Sequence, residues 1–176
     1  PEGLPVISSL QSCFIYNSAE EGSSFECSNP LFTQTHRLIE RAERSNMQSV
    51  MTDCPHREKL GWLEQDHLVG PSLFYNYDMT QYCPKIIRDI TDTQKQDGMV
   101  PTTAPQYVSF GNLFDDSPEW GSTLIIMPFQ YYEQYGDSTL IIKNYQAMRR
   151  YVDYLTGRSK NGIVSHGLGD WYDVVE

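Results

Sequence analysis

Thr52-Asp-Cys-Pro-His-Arg-Glu-Lys-Leu-Gly-Trp62 is the stretch on which the reading of this chain turns. Asp53, His56, Arg57, Glu58 and Lys59 crowd beside Cys54, Leu60 and Trp62. A solvated loop carries charges of this kind but seldom a leucine and a tryptophan with them. The mixture predicts a polar site set into an apolar, aromatic wall. Pro55 disfavours helix at Cys54. A helix is expected to begin near Glu58, with Trp62 one turn later on the same face. A carboxylic acid against an indole loses hydration, which raises its pKa and suits a general acid. Arg57 acts in the opposite direction. The structural alternative is that Asp53 caps the helix and Arg57 and Glu58 form a surface pair.

Two later loops repeat the mixture. In 114–121, FDDSPEWG, Asp115 and Asp116 offer acceptors for sugar hydroxyls and Trp120 a stacking face. The same residues also read as a capped helix start: Asp116 or Ser117 as N-cap, Pro118 at N1, Glu119 in the first turn. In 166–173, HGLGDWYD, Asp170 is either a ligand or a cap, and Trp171 either a sugar face or a core aromatic.

Around these loops the pattern is helical. Asn29-Pro30 gives an N-cap followed by proline at N1, and Leu31, Phe32, Thr35, Leu38, Ile39 and Ala42 recur at helical spacing towards Asn46. Further helices are predicted at about 58–74, 80–96, 119–135 and 138–156. The last carries Ile141, Tyr145, Met148, Val152 and Leu155 in one stripe, with Asp137 as N-cap and Gly157 as C-cap. Gly98 and Gly136 read as other C-terminal stops, and Pro84 and Pro128 as helix starts or kinks. Loops at 47–57, 97–118 and 157–173 are long for a compact domain, and such loops are commonly functional. Helical hairpins with long acidic and aromatic loops suggest an α/α toroid with its site on the long-loop face. Residues 1–28 read as an extended N-terminal segment or linker, and 29–176 as the helical part.

Composition bounds the function. With 176 residues, 39% hydrophobic and 20% charged, the chain can bury a core. A net charge of −10 argues against nucleic acid or an anionic membrane as partner. No apolar run reaches the length of a membrane span, and PEGLPVISSL shows no signal peptide. The compartment is left open. Cys13, Cys27, Cys54 and Cys83 form no CxxC pair, and most are expected to be buried thiols. His36, His56, His67 and His166 show no ligand spacing. Glycine-rich phosphate loops and a G-x-S-x-G elbow are also missing from the sequence, so no metal or cofactor is expected.

TDCPHREKLGWLEQ resembles the signature of bacterial α-L-rhamnosidases of the glycoside hydrolase family 78 type. Residues 25–65, from FECSNP to GWLEQ, look like the opening of that family's catalytic domain. SPEWGSTLIIMPFQYYEQYGD (117–137) and GLGDWYD (167–173) look like later landmarks in the same order. The resemblance implies an all-α, six-hairpin (α/α) barrel and inverting release of terminal α-L-rhamnose from oligosaccharides or glycosides. It makes Glu58 the general acid and Asp53 and Arg57 rhamnose-holding groups. Trp62 becomes the wall tryptophan, with Trp120, Asp170 and Trp171 near the sugar. Many members continue Gly-Trp-x-Gly-Asp; here the run is Gly61-Trp62-Leu63-Glu64-Gln65, so Gln65 stands where the second acid does.

The predicted helices are fewer than the twelve of six hairpins, and no acid matches the family's general base. The expectation is therefore an incomplete barrel, the N-terminal portion of a longer catalytic domain. Its partners would be a rhamnose-containing carbohydrate and the remainder of the barrel, and its apolar seam would favour self-association. Two alternatives stay open. One is a non-catalytic sugar-binding relative, motivated by Gln65. The other is an α/α-barrel glycosidase or lyase acting on another sugar.

Overall fold

The computed structural model describes residues 6–111 and 114–169. These residues form helices α1 (Pro30–Asn46), α2 (Glu64–Leu68), α3 (Gly70–Asn76), α4 (Tyr82–Thr93), α5 (Pro118–Gly121), α6 (Thr123–Tyr135) and α7 (Thr139–Arg158). Among the described residues there is no strand beyond isolated bridges. None of their helices is long and apolar enough to cross a membrane.

Local chemistry explains most boundaries. Asn29 Oδ1 accepts from the Leu31 amide at 3.0 Å, and Pro30 occupies the first helical position of α1. Gly136 ends α6 in the left-handed region, φ 67°. Pro128 sits inside α6. The helix expected over 58–74 begins instead at Glu64 and breaks at Val69. Lys59 adopts φ 57°, which no helix tolerates, and residues 61–63 pair with 102–104. Pro71 lacks an amide hydrogen and starts α3 anew. At α7 the cap is Ser138, while Asp137 Oδ1 accepts from the Thr139 amide at 2.8 Å. Gly157 lies within that helix, which runs on to Arg158. Gly98 belongs to the turn after α4, which ends at Thr93.

The core is built around α6, which touches α2, α3, α4, α5 and α7. Leu73, Met79, Ile87, Ile90, Leu124, Met127 and Tyr151 are almost fully buried there. Polar ties fix α2 on α6. Thr123 Oγ1 donates to the Leu63 carbonyl at 2.6 Å, which leaves it an acceptor for His67 Nδ1, also at 2.6 Å. Burial lowers the His67 pKa, in keeping with a neutral ring.

Two helical stripes turn differently from expectation. The inner face of α7 is Leu140, Ala147, Met148 and Tyr151; of the expected stripe Met148 belongs to it, Ile141 and Leu155 pack partly buried at its edge, and Tyr145 and Val152 are largely exposed. The buried face is rotated by about one residue, because Tyr151 must seat against α5. On α1, Leu31, Phe32, Leu38 and Ile39 face outwards. The helix meets the body through polar groups: buried Glu43 accepts from Asn76 Nδ2 at 2.8 Å, and Tyr77 donates to the Glu40 carbonyl. Of the cysteines only Cys83 is buried; Cys54 is half-buried, and Cys13 and Cys27 are exposed because they precede the helical body.

Asp66 is buried to 3% exposure, and its Oδ1 has no hydrogen-bond partner. Burial pushes its carboxyl well above the ordinary carboxylate value; Lys85 opposes this and Asp89 adds to it. The folded state therefore binds this proton more tightly than the unfolded state. Its stability falls as pH rises above the unfolded value towards the folded one. Asp66→Asn should flatten that slope in the natural full-length protein. Its advantage over the parent in the thermal unfolding midpoint should grow between pH 5 and pH 8. An equal shift at both pH values would show that Asp66 is not the group responsible.

Candidate active site

Residues 53–60 close on themselves. The Asp53 amide donates to the Leu60 carbonyl at 3.1 Å, and the Leu60 amide returns a bond to Asp53 Oδ1 at 3.2 Å. Cys54 Sγ donates to Asp53 Oδ2 at 3.1 Å and accepts from the Glu58 amide at 3.2 Å. Asp53 thus clamps a loop rather than capping a helix. The loop brings Glu58 to Trp62 without helical periodicity: Trp62 Nε1 donates to Glu58 Oε2 at 2.9 Å. Arg57 pairs with Glu58 Oε1 at 2.7 Å. The Arg57 side chain is 71% exposed, so this pair is weak and easily exchanged for another partner.

A second loop is laced to the first. The Leu63 amide donates to the Thr102 carbonyl at 2.9 Å, and the Ala104 amide to the Gly61 carbonyl at 3.0 Å. Gly61 is needed for this approach, because a Cβ there would stand 2.5 Å from the Ala104 carbonyl oxygen. Gly61→Ala should cost about 1–3 kcal/mol, as forced overpacking does. Urea unfolding of the full-length protein checks this, and an unchanged midpoint would mean that the two loops are not locked here.

The acidic pair of the second loop serves the protein itself. Asp115 accepts from Ser109 Oγ at 2.5 Å, the Phe110 amide at 3.0 Å and the Gly111 amide at 3.1 Å. Burial pushes its carboxyl up, but these donors outweigh burial and hold it below the usual carboxylate value. Asp116 accepts from Tyr154 at 2.6 Å and faces Arg158 and His166 Nε2 at 3.4 and 3.3 Å. The Leu168 amide donates to Ser117 Oγ at 2.9 Å. The third loop is thereby drawn over α5, whose N-cap is Ser117 with Pro118 at N1. Asp115 and Asp116 hold loops, the structural one of the two readings the sequence offered for them.

Together these loops enclose a cavity of about 380 Å³. Asp53, Arg57, Glu58, Trp62, Gln65 and Trp120, all expected from the sequence, line it with Glu64, Phe110, Phe114 and Leu168. Trp120 is 8% exposed and tilts against Trp62, with ring centroids 6.1 Å apart. Phe110 stacks on Trp62 at 5.4 Å and 17°. Gln65 Oε1 is buried and has no hydrogen-bond partner. Asp170 and Trp171 lie outside the described residues. Of the lining residues not singled out in the sequence, the aromatic ones, Phe110 and Phe114, sit in a loop expected to be functional. Their signal was an aromatic repeat, Tyr107, Phe110 and Phe114, within it. Among the described residues no group of three or more His, Cys, Asp or Glu is placed to hold a metal ion.

Comparison with known proteins identifies relatives of the chain. A family model described as the bacterial alpha-L-rhamnosidase 6 hairpin glycosidase domain matches residues 20–176. A curated alpha-L-rhamnosidase from Formosa agariphila is 31% identical over 175 residues, covering 92% of this chain and 18% of its own length. The solved alpha-L-rhamnosidase from Dictyoglumus thermophilum superposes with a TM-score of 0.83 at 29% identity, over 93% of this chain and 18% of that one. The Streptomyces avermitilis alpha-L-rhamnosidase, solved in complex with L-rhamnose, gives 0.82 at 29% identity, over 89% and 15%. The chain thus spans less than a fifth of the length of these relatives.

Proposed function

The chain belongs to the bacterial α-L-rhamnosidase six-hairpin glycosidase family, and we propose that it supplies the proton-donating half of an inverting active site that releases terminal α-L-rhamnose. The observation that carries this reading is Glu58. It stands at the edge of an aromatic cavity, held by Trp62 Nε1 on one oxygen and by an exposed, displaceable Arg57 on the other. In the reaction, protonated Glu58 gives its proton to the glycosidic oxygen as the bond to the anomeric carbon breaks. The electron pair of that bond leaves with the alcohol.

A water attacks the opposite face, activated by a second carboxylate roughly 6.5–9.5 Å from the first, as inverting hydrolysis requires. On this reading that base comes from outside the described residues. Trp120 walls the inner end of the cavity, and the buried Gln65 Oε1 takes a hydrogen bond from a sugar hydroxyl. An unsatisfied buried acceptor is costly, and a sugar O–H removes that cost. Residues 29–176 then form the N-terminal portion of the barrel, with 1–28 leading into it. The outward apolar stripe of α1 is the seam for further hairpins.

The test uses the natural full-length protein on p-nitrophenyl α-L-rhamnopyranoside, beside the corresponding mannoside, glucoside and glucuronide. NMR should show β-L-rhamnose as the first-formed anomer, with the rhamnoside preferred by at least about 100-fold. Rhamnose binding without hydrolysis would instead favour a sugar-binding relative. Preference for the glucuronide would contradict the substrate assignment.

A further inference from the structure

The cavity is lined by residues of very different exposure. Trp120 at 8% exposure and Gln65 with its buried oxygen define the inner end. Trp62 lies beside Glu58 through its N–H, and Phe110, 43% exposed, stacks on that same indole. Phe114 continues the aromatic surface, 6.5 Å from Phe110. With the sugar against Trp120 and Gln65, as proposed above, the Phe110 and Phe114 rings are left for the leaving group.

We infer that Phe110 is a specificity-determining residue that stacks on an uncharged aromatic aglycone. This inference rests on the hydrolytic reading above and deepens it. Three observations support it. Phe110 is held in place before any ligand arrives, because Asp115 takes hydrogen bonds from Ser109, Phe110 and Gly111 together. A platform ordered in advance spends little binding energy on its own ordering. Phe114 lines the cavity beside Phe110, with ring centroids 6.5 Å apart, an aromatic surface that a hydroxyl-rich saccharide does not need. Among the described residues that line the cavity, the carboxylates Asp53, Glu58 and Glu64 outnumber the cation Arg57, which disfavours an anionic leaving group.

The experiment compares benzyl and methyl α-L-rhamnoside with the natural full-length protein. Their leaving alcohols have similar acidity, so the comparison isolates aglycone binding. The ratio of kcat/KM values, benzyl over methyl, cancels the active fraction of each preparation. The parent should favour the benzyl glycoside by about tenfold or more, the size expected from an aromatic pair with burial of its ring. In Phe110→Ala the ratio should fall to within about threefold of unity, and Phe110→Tyr should restore it. Should Phe110→Ala be inactive on both, Phe110→Leu, which keeps bulk without a ring, carries the same comparison. A parent ratio near unity, or a ratio unchanged by losing the ring, overturns the aglycone assignment while leaving rhamnoside hydrolysis standing. Turnover of neither glycoside by the parent overturns the hydrolytic reading, and this inference with it.

Discussion

Glu58→Gln in the natural full-length protein is expected to lower kcat on methyl α-L-rhamnoside by about 10²–10⁴-fold, the usual size of general acid catalysis. Binding of L-rhamnose should stay within about threefold of the parent. The amide keeps the shape of the acid and still offers an oxygen to Trp62 Nε1, now 2.9 Å from Glu58 Oε2. What it lacks is a proton to give. A group acting only on the departing oxygen should change kcat and spare sugar affinity. Steady-state kinetics with calorimetric titration of L-rhamnose checks both halves. Near-parental turnover would remove Glu58 from the chemistry.

Asp53→Ala should be nearly as damaging by another route. It deletes the acceptor of the Leu60 amide and of the Cys54 thiol at once. The loop that presents Glu58 then loses both clamps made by Asp53 and keeps the backbone bond from the Asp53 amide to Leu60 and the bond from the Glu58 amide to Cys54 Sγ. Loss of positioning on the scale of 1 Å costs about 10²-fold in rate. Asp53 also lines the cavity, so the expected total is about 10²–10³-fold in kcat/KM, with kcat itself reduced. Asp53→Asn retains a carbonyl for the Leu60 amide and should recover part of the loss. If Asp53 served only as a sugar contact, KM would rise with kcat unchanged, and Asn would rescue no better than Ala.

Much of this architecture is legible in the sequence where a residue acts locally. Asn29-Pro30 announces α1 because an N-cap and a preset φ need no tertiary partner. Gly136 announces the end of α6 for the same reason. The reading fails where distant segments decide. Leu60, Gly61 and Trp62 continue a helical pattern on paper, yet 61–63 pair with 102–104 and Lys59 turns left-handed. The inward face of α7 is set by the seat of Tyr151 near Pro118, 33 residues earlier in the chain, and near Gly121, and not by its own periodicity. The site behaves similarly. Asp53, Glu58, Trp62 and Gln65 are found because they share one motif. The loop-holding bonds of Asp115 and Asp116 are not legible, because composition does not reveal which hydrogen-bond donors surround a carboxylate. Phe110 enters the site through a contact with Trp62 that no local pattern encodes.

The central claim is that Glu58 protonates the leaving oxygen, and leaving-group dependence tests it most directly. 2,4-Dinitrophenyl α-L-rhamnoside departs without protonation, whereas methyl α-L-rhamnoside requires it. With the full-length Glu58→Gln protein, turnover of the dinitrophenyl substrate should stay within about tenfold of the parent while turnover of the methyl substrate falls by about 10²–10⁴-fold. Equal losses on both substrates, or no loss on either, would contradict the assignment of Glu58 as the acid.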